Sequence, residues 1–401
     1  MKIGIILEGK TPPDKRVPFT PKQCKIILES YPNVELFIQK STIRAFEDAL
    51  YAAEGLNLVD SLENADIIFG VKEVNVGDLI PNKTHFFFSH TIKEQPYNRD
   101  LLQAVIDKNV QLVDYEVLTQ PNGRRLVGFG RYAGIVGTYN AFIAYGHRTK
   151  KFNLKPANLC ADRSEMEGEL PNIELPNNFK IVLTGLGRVA GGAIEVLNKM
   201  GVKKVDPTDF INKSFKEPVF TQLSVQEYFK KLDDSSFERK EAYDHPSRFE
   251  SDFRRFSEVA NMYIPCHYWD AEAPFIFTKQ ELMQGVFNIE VIADISCDIA
   301  GPIPSTIRPS TISYPLYEVD KSTLQEVTEI TKDTITVMAV DNLPCELPKD
   351  ASEDFGGELL KNILPALLGN DPDNIIDRAS IVKNGDLNSH FEYLRNYLNG
   401  K

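Results

Sequence analysis

Residues 180–193 read KIVLTGLGRVAGGA. An apolar run meets a pair of glycines and passes into AGGAIEVLNKMG, a segment of helical composition. Gly185, Gly187 and Ala190 fall at the spacing G-x-G-x-x-A, directly between a strand and a helix. The first glycine permits a tight turn, and the second lets the backbone approach a pyrophosphate. The small third residue allows the helix to pack closely on the strand. The helix N-terminus adds the positive end of its dipole, and Arg188 sits in the same loop. This context predicts a Rossmann-type dinucleotide site rather than a purely structural turn. VKKV reads as the second strand, and Asp206 follows 21 residues after Gly185. A carboxylate there accepts from an adenine-ribose 2′-OH and repels a 2′-phosphate. NAD is therefore the expected cofactor, with NADP the second candidate because Lys203 and Lys204 stand beside Asp206.

The same grammar extends through the chain. KIGIIL, VELFIQ, ADIIFGV, THFFFS and VQLVDY alternate with helix-like PKQCKIILESY, AFEDALYAAEG and NRDLLQAVIDKN. Later runs are NMYIPC, FIF, NIEVIADIS and ITVMAVDN. Continuous apolar strands suit parallel sheets covered on both faces, so the expected class is α/β with mostly parallel sheets. Residues 131–147, rich in small and apolar residues, predict a buried helix that carries the chain out of the first domain. Residues 155–178 read as a surface connection, and 226–256 as a charged insertion, helical with breaks.

At 401 residues, two domains are the natural expectation. The 45 Lys and Arg against 57 Asp and Glu leave a formal charge of −12, which argues against nucleic-acid and anionic-membrane partners. Five scattered cysteines without a C-x-x-C pair suggest a reducing compartment, and six histidines without H-E-x-x-H predict no metal. MKIGIILEG reads as a strand rather than a signal peptide, and no apolar stretch reaches membrane-spanning length. A cytoplasmic enzyme or binding protein for small molecules is the class that remains. Both a monomer and a homo-oligomer are compatible with it.

Parallel strands place ligands beyond their carboxyl ends. ADIIFGV ends in Lys72-Glu73, THFFFS in His90-Thr91 and VQLV in Asp114-Tyr115-Glu116. NIEVIA ends in Asp294, Ser296 and Asp298, and ITVMAV in Asp341-Asn342. Parallel strands would put all of these on one shared rim. HFFFS would then stop on His90 because the strand is core and the histidine stands at the site.

The quoted segments also resemble a known family, the alanine dehydrogenase/transhydrogenase-type oxidoreductases. Within it the likeness is greatest to lysine-forming saccharopine dehydrogenase, or lysine–ketoglutarate reductase. KRVPFTP (15–21), GVKE (70–73), FFSHTIKEQ (87–95) and DYEVLTQPNGRRLVGFGRYAG (114–134) carry the resemblance. DHPSRFESDF, ADISCDIAG and AVDNLPCELPKDASEDFG extend it along nearly the whole chain. It implies two Rossmann-like domains with an interdomain cleft for substrate. Residues 1–135 plus 340–401 would form the substrate domain, and 136–339 the dinucleotide domain. The implied reaction interconverts saccharopine and NAD(P)+ with L-lysine, 2-oxoglutarate and NAD(P)H.

Lys72 would then move the amine proton and His90 the proton at the carbinolamine or imine stage, both needing pKa values near neutrality. An ion pair of Lys72 with Glu73 or Glu116 would silence it. Arg16 and Arg125 would bind substrate carboxylates bidentately, with Arg124 and Arg131 as further candidates. Glu73 would lie among the substrate contacts. Glu116 and Asp341 would receive ammonium groups, Phe129 an aliphatic stem, and Asp294 and Ser296 the nicotinamide end of the cofactor. An alanine dehydrogenase or another amino-acid dehydrogenase on the same frame is the alternative. A non-catalytic nucleotide-binding sensor is an alternative of another class. A methyltransferase using the glycine turn would leave Lys72 and His90 unexplained.

Overall fold

KIGI becomes β1 (Lys2–Ile5), an interior strand of the first of two eight-stranded sheets in the computed structural model, which describes residues 1–233, 235–283 and 287–400. The chain divides into one unit of Met1–Phe129 with Pro348–Lys401 and a second of Gly130–Leu347. In the first unit α1 (Pro21–Ser30), β2 (Glu35–Gln39), α2 (Asp48–Ala53), β3 (Asn57–Val59) and β4 (Ile67–Phe69) follow β1. Then come β5 (Thr84–Phe87), α3 (Arg99–Asp107) and β6 (Gln111–Asp114). α1 starts sharply because Thr20 and Gln23 form a capping box and Pro21 takes the first helical position, where no backbone N–H is needed.

The second unit opens with α4 (Gly130–Thr149), α5 (Arg163–Gly168), β7 (Lys180–Thr184), α6 (Arg188–Lys199), β8 (Lys203–Lys204), α7 (Pro207–Asn212) and β9 (Val219–Leu223). It continues through α8 (Val225–Tyr228), β10 (Phe229–Lys231), α9 (Arg239–Asp244), β11 (Phe249–Ser251) and α10 (Arg254–Ser257). β12 (Met262–Pro265), α11 (Lys279–Met283), β13 (Val291–Ala293), β14 (Leu316–Asp320), β15 (Glu326–Val327) and β16 (Thr334–Met338) complete it. The chain then returns to the first unit as α12 (Pro348–Asn362), α13 (Leu364–Leu368), α14 (Ile375–Arg378), β17 (Ser380–Lys383), β18 (Asp386–Leu387) and α15 (Arg395–Leu398).

The first sheet runs β3-β2-β1-β4-β5-β6-β17-β18, with β1 to β6 parallel and the last two strands antiparallel. Alternation along β5 explains its apolar run. Phe86 packs with Phe19, Ile27, Phe355 and Leu359 under α1 and α12. Phe87 packs with Leu101, Leu102 and Val105 of α3 on the other face. A strand covered twice must be apolar throughout, and each fully buried phenylalanine contributes about 1.5–3 kcal/mol.

The second sheet runs β8-β9-β7-β12-β13-β16-β14-β15, and only β14 runs against the rest, pairing antiparallel with both β16 and β15. Two mostly parallel α/β sheets are thus present, as the strand grammar predicts. α4 packs along α6 and across β12, β13 and β16, and glycines set how close it comes. A Cβ on Gly134 would lie 1.9 Å from Val189 O, and one on Gly192 would lie 1.9 Å from Arg131 O.

Three local expectations need correction. VKKV yields only the two-residue edge strand β8, while VFTQL, unassigned from sequence, is β9 and pairs with β7 along its whole length. FIF (275–277) is not a strand, because the chain bends there and Ile276 N donates to Pro302 O at 2.9 Å. The stretch 226–256, expected as a charged insertion helical with breaks, also holds the antiparallel pair β10–β11, and Tyr228, Phe229, Phe249, Phe253 and Phe256 are all buried in the core of the second unit. Asp234, within that stretch, lies outside the described residues. No helix among the described residues is long and apolar enough to cross a membrane.

One buried carboxyl makes stability pH-dependent. Glu346 is pushed from 4.5 up to about 7, mainly by burial, although Asn140 Nδ2 donates to it at 2.8 Å. The folded state thus holds this proton more tightly than the unfolded chain. Stability contributed here is present at low pH and declines as pH rises from about 4.5 to about 7. Glu346→Gln should narrow the fall in melting temperature between about pH 5 and about pH 8. An unchanged difference would sink this account.

Candidate functional site

In the first unit the carboxyl ends of β1, β4, β5 and β6 deliver charged residues to one edge. After β4, Lys72 and Glu73 follow; after β5, His90 adopts a left-handed conformation with φ 54°. His90 Nδ1 donates to Glu73 Oε1 at 2.5 Å, and Lys10 Nζ donates to Glu73 Oε2 at 2.9 Å. Both oxygens of Glu73 are therefore spoken for, and Lys72 makes no ion pair with any described residue. Burial lowers the Lys72 pKa, and repulsion from Arg16 and Lys10 lowers it further, against weaker pulls from Glu73 and Asp14. Burial opposes ionisation of Glu73, but the hydrogen bonds from His90 and Lys10 outweigh it and hold the carboxyl at about 2.

Buried carboxylates brace these strand ends. Glu8, beyond β1, accepts from Val71 N at 2.7 Å and Lys72 N at 3.0 Å, fixing the backbone under Lys72. Burial raises its pKa to about 8. Asp114 accepts from Ser89 N at 2.9 Å, Ser89 Oγ at 2.5 Å and Glu116 N at 2.7 Å, tying the segment before His90 to the one bearing Glu116. Sequence reasoning missed Glu8, although it is the residue that directly follows KIGIIL, where the strand-end rule applies.

Glu116 has one oxygen near Arg125 (3.4 Å) and Lys93 (3.8 Å). Its other oxygen is buried without a hydrogen-bond partner, a costly state that a ligand cation would relieve. Arg125 is half exposed, as a residue that meets a ligand can be. Arg16 differs from expectation: it is 2% exposed and its fork holds Asp14 through Nε at 3.0 Å and Nη2 at 2.6 Å. Phe129 lies beneath that guanidinium at 4.1 Å and stacks on Phe355 at 4.4 Å, so its visible partners are aromatic and cationic.

In the second unit, the glycine turn borders a cavity of about 470 Å³. Gly185 has φ +99°, and a Cβ there would meet Cys266 O at 2.5 Å, so β7 can turn only with glycine. A Cβ on Gly187 would meet nothing within 4 Å, which leaves its backbone open to a ligand. Ala190, in the first turn of α6, is fully buried. Leu186, Arg188, Ser224, Tyr228, His267 and Ser296 line the cavity among others. His267 is buried, its Nδ1 bonded to Thr184 Oγ1 at 2.8 Å and its Nε2 without a partner. An open glycine backbone at a helix N-terminus and an orphaned imidazole nitrogen suit the phosphates and hydroxyls of a dinucleotide.

Several of the expected placements change here. Asp206 does not line the cavity: β9 separates its edge strand from β7, so Ser224 stands where the ribose acid was expected. Asp206→Asn should shift the dissociation constants of NADH and NADPH by less than about twofold, as read by calorimetry. Asp294 is fully buried and accepts from Ser296 N, Ser296 Oγ, Cys297 N and Thr306 Oγ1, making it a loop brace, while Ser296 reaches the cavity. Arg131 belongs to the second unit and grips Glu195 at 2.7 and 2.8 Å. The five strand ends divide between two sheets, with Asp341 on the second alongside Asp294.

Residues 4–136 match the family described as alanine dehydrogenase/PNT, N-terminal domain. The chain is 27% identical to alpha-aminoadipic semialdehyde synthase of Arabidopsis thaliana, over 98% of this chain and 41% of that protein. It thus spans less than half the length of that relative. It is 26% identical to saccharopine dehydrogenase [NAD(+), L-lysine-forming] of Schizosaccharomyces pombe, over 89% of this chain and 91% of the other. Among solved structures, an L-alanine dehydrogenase superposes with a TM-score of 0.64 at 17% identity, covering 99% of this chain and 100% of its own, which speaks for the fold alone.

Proposed function

We propose that the chain is an oxidoreductase of the alanine dehydrogenase/transhydrogenase type and that it interconverts saccharopine with L-lysine and 2-oxoglutarate, a reading supported by the family match over residues 4–136 and by the likeness to saccharopine dehydrogenase. The observation that carries this reading is Lys72, half-buried and without an ion-pair partner among the described residues, one residue before the Glu73 that holds His90. A pyridine nucleotide, when bound, supplies or accepts the hydride. Gly185, Gly187, Arg188, Ser224, His267 and Ser296 would hold it.

Lys72, its pKa depressed, takes the proton of the substrate's secondary amine. Glu73 fixes the His90 ring through Nδ1 and leaves Nε2 for the proton that moves during carbinolamine formation and collapse. Glu116 offers its unpartnered oxygen to a substrate ammonium group. Arg125, beside it, offers a guanidinium to a substrate carboxylate.

The test is oxidation of NADH and NADPH with L-lysine and 2-oxoglutarate, run beside pyruvate with ammonia. Turnover confined to lysine and 2-oxoglutarate is the expected result. Turnover with pyruvate and ammonia alone would replace the substrates with those of an alanine dehydrogenase.

A further inference from the structure

A Rossmann-type site selects NAD with a carboxylate at the end of the strand beside its first one. Here that neighbour is β9, and the residue at its end is Ser224. Two hydrogen bonds hold it there: Gly185 N donates to Leu223 O at 2.8 Å, and Gln222 Nε2 donates to Gly185 O at 2.9 Å. The carboxylate nearest in sequence, Glu227, is already engaged. It accepts from Ser224 N at 2.6 Å and from Ser224 Oγ, closing a capping box on α8, and it does not line the cavity. Asp298 is the one carboxylate among the described lining residues, and it follows β13, which lies on the opposite flank of β7 from β9.

Positive charge occupies the β9 side instead. Arg239, the first residue of α9, lines the cavity, and α9 is in contact with α8. Its guanidinium lies 6.0 Å from the Tyr243 ring centroid and acts electrostatically on the Tyr228 hydroxyl, at the end of the helix that Ser224 begins. No described carboxylate pairs with Arg239.

We propose that Ser224 and Arg239 form a subsite for a ribose 2′-phosphate, so that the protein takes NADPH in preference to NADH. This rests on the dinucleotide reading above. It reverses the preference that Asp206 suggested, because sheet order puts Ser224 rather than Asp206 beside the glycine turn.

The chain has one tryptophan, Trp269, and it lines the cavity, so its fluorescence reports occupancy directly. The full-length protein is titrated with NADPH, NADH, adenosine 2′,5′-bisphosphate and AMP, with calorimetry in parallel. A charge-assisted contact of about 1.5–3 kcal/mol corresponds to a preference of about 10- to 100-fold for the 2′-phosphorylated member of each pair. Arg239→Gln, at an exposed position, should lose most of that preference and keep NADH affinity within about twofold. Ser224→Asp should invert it. NADH binding as tightly as NADPH would overturn the proposal, and so would an Arg239→Gln variant that weakens both equally. Binding of neither dinucleotide would overturn the dinucleotide reading itself.

Discussion

Lys72→Met should lower the rate of saccharopine oxidation by about 10²- to 10⁴-fold, the range that a positioned acid–base group contributes. The substitution keeps the length of the side chain and removes its titratable amine. Stability should not suffer. Lys72 is held with its charged form disfavoured by burial and by Arg16 and Lys10, so removing the charge relieves a desolvation cost. Its folded pKa lies below its unfolded one, so the cost is felt where the unfolded chain is protonated and the folded one resists. The wild type should gain activity as pH rises through the depressed Lys72 pKa, and the variant should lose that limb. Nucleotide binding, followed through Trp269 in the other unit, should stay unchanged. Retention of full activity would remove Lys72 from the mechanism.

Gly192→Ala should be among the most damaging single methyl groups in the dinucleotide unit, together with Gly134→Ala. The added carbon would fall 1.9 Å from Arg131 O and 3.1 Å from Ile135 N, and backbone atoms of α4 cannot move aside as a side chain does. α4 and α6 would have to separate along their shared face. Overpacking of this kind costs about 1–3 kcal/mol or more. The glycine turn opens α6, so nucleotide affinity should fall with stability. Gly191→Ala is the control: its Cβ meets nothing within 4 Å, and alanine is the better helix former. Thermal melts of the two variants should move in opposite directions. A shared small shift would show that the helices adjust freely.

The parallel sheets were legible because strands buried on both faces must be apolar throughout, as THFFFS shows. The glycine turn was legible because its physics is local. Asp206 misled because sequence spacing reports distance along the chain, whereas the ribose acid is defined by the neighbouring strand. β9 sits beside β7 although β8 precedes it. One clue was present: Ser224 and Glu227 have the spacing of a capping box directly after VFTQL, which marks a strand ending and a helix beginning. Glu8 and Asp114 were harder to rank. Their importance lies in whose backbone N–H groups they accept from, and composition does not encode that.

The antiparallel strand β17 pairs with β6, joining Ser380 to Val113. The unit that bears Lys72 and His90 is therefore discontinuous, with 218 residues of the other unit threaded through it (Gly130–Leu347). During synthesis, the inserted unit has all its strands available while β6 still lacks its partner. Until residues 380–383 have been made, β6 carries an unpaired edge, and such an edge invites pairing with other chains. Chaperone demand should therefore fall on the earlier-made unit, which must wait longest to close.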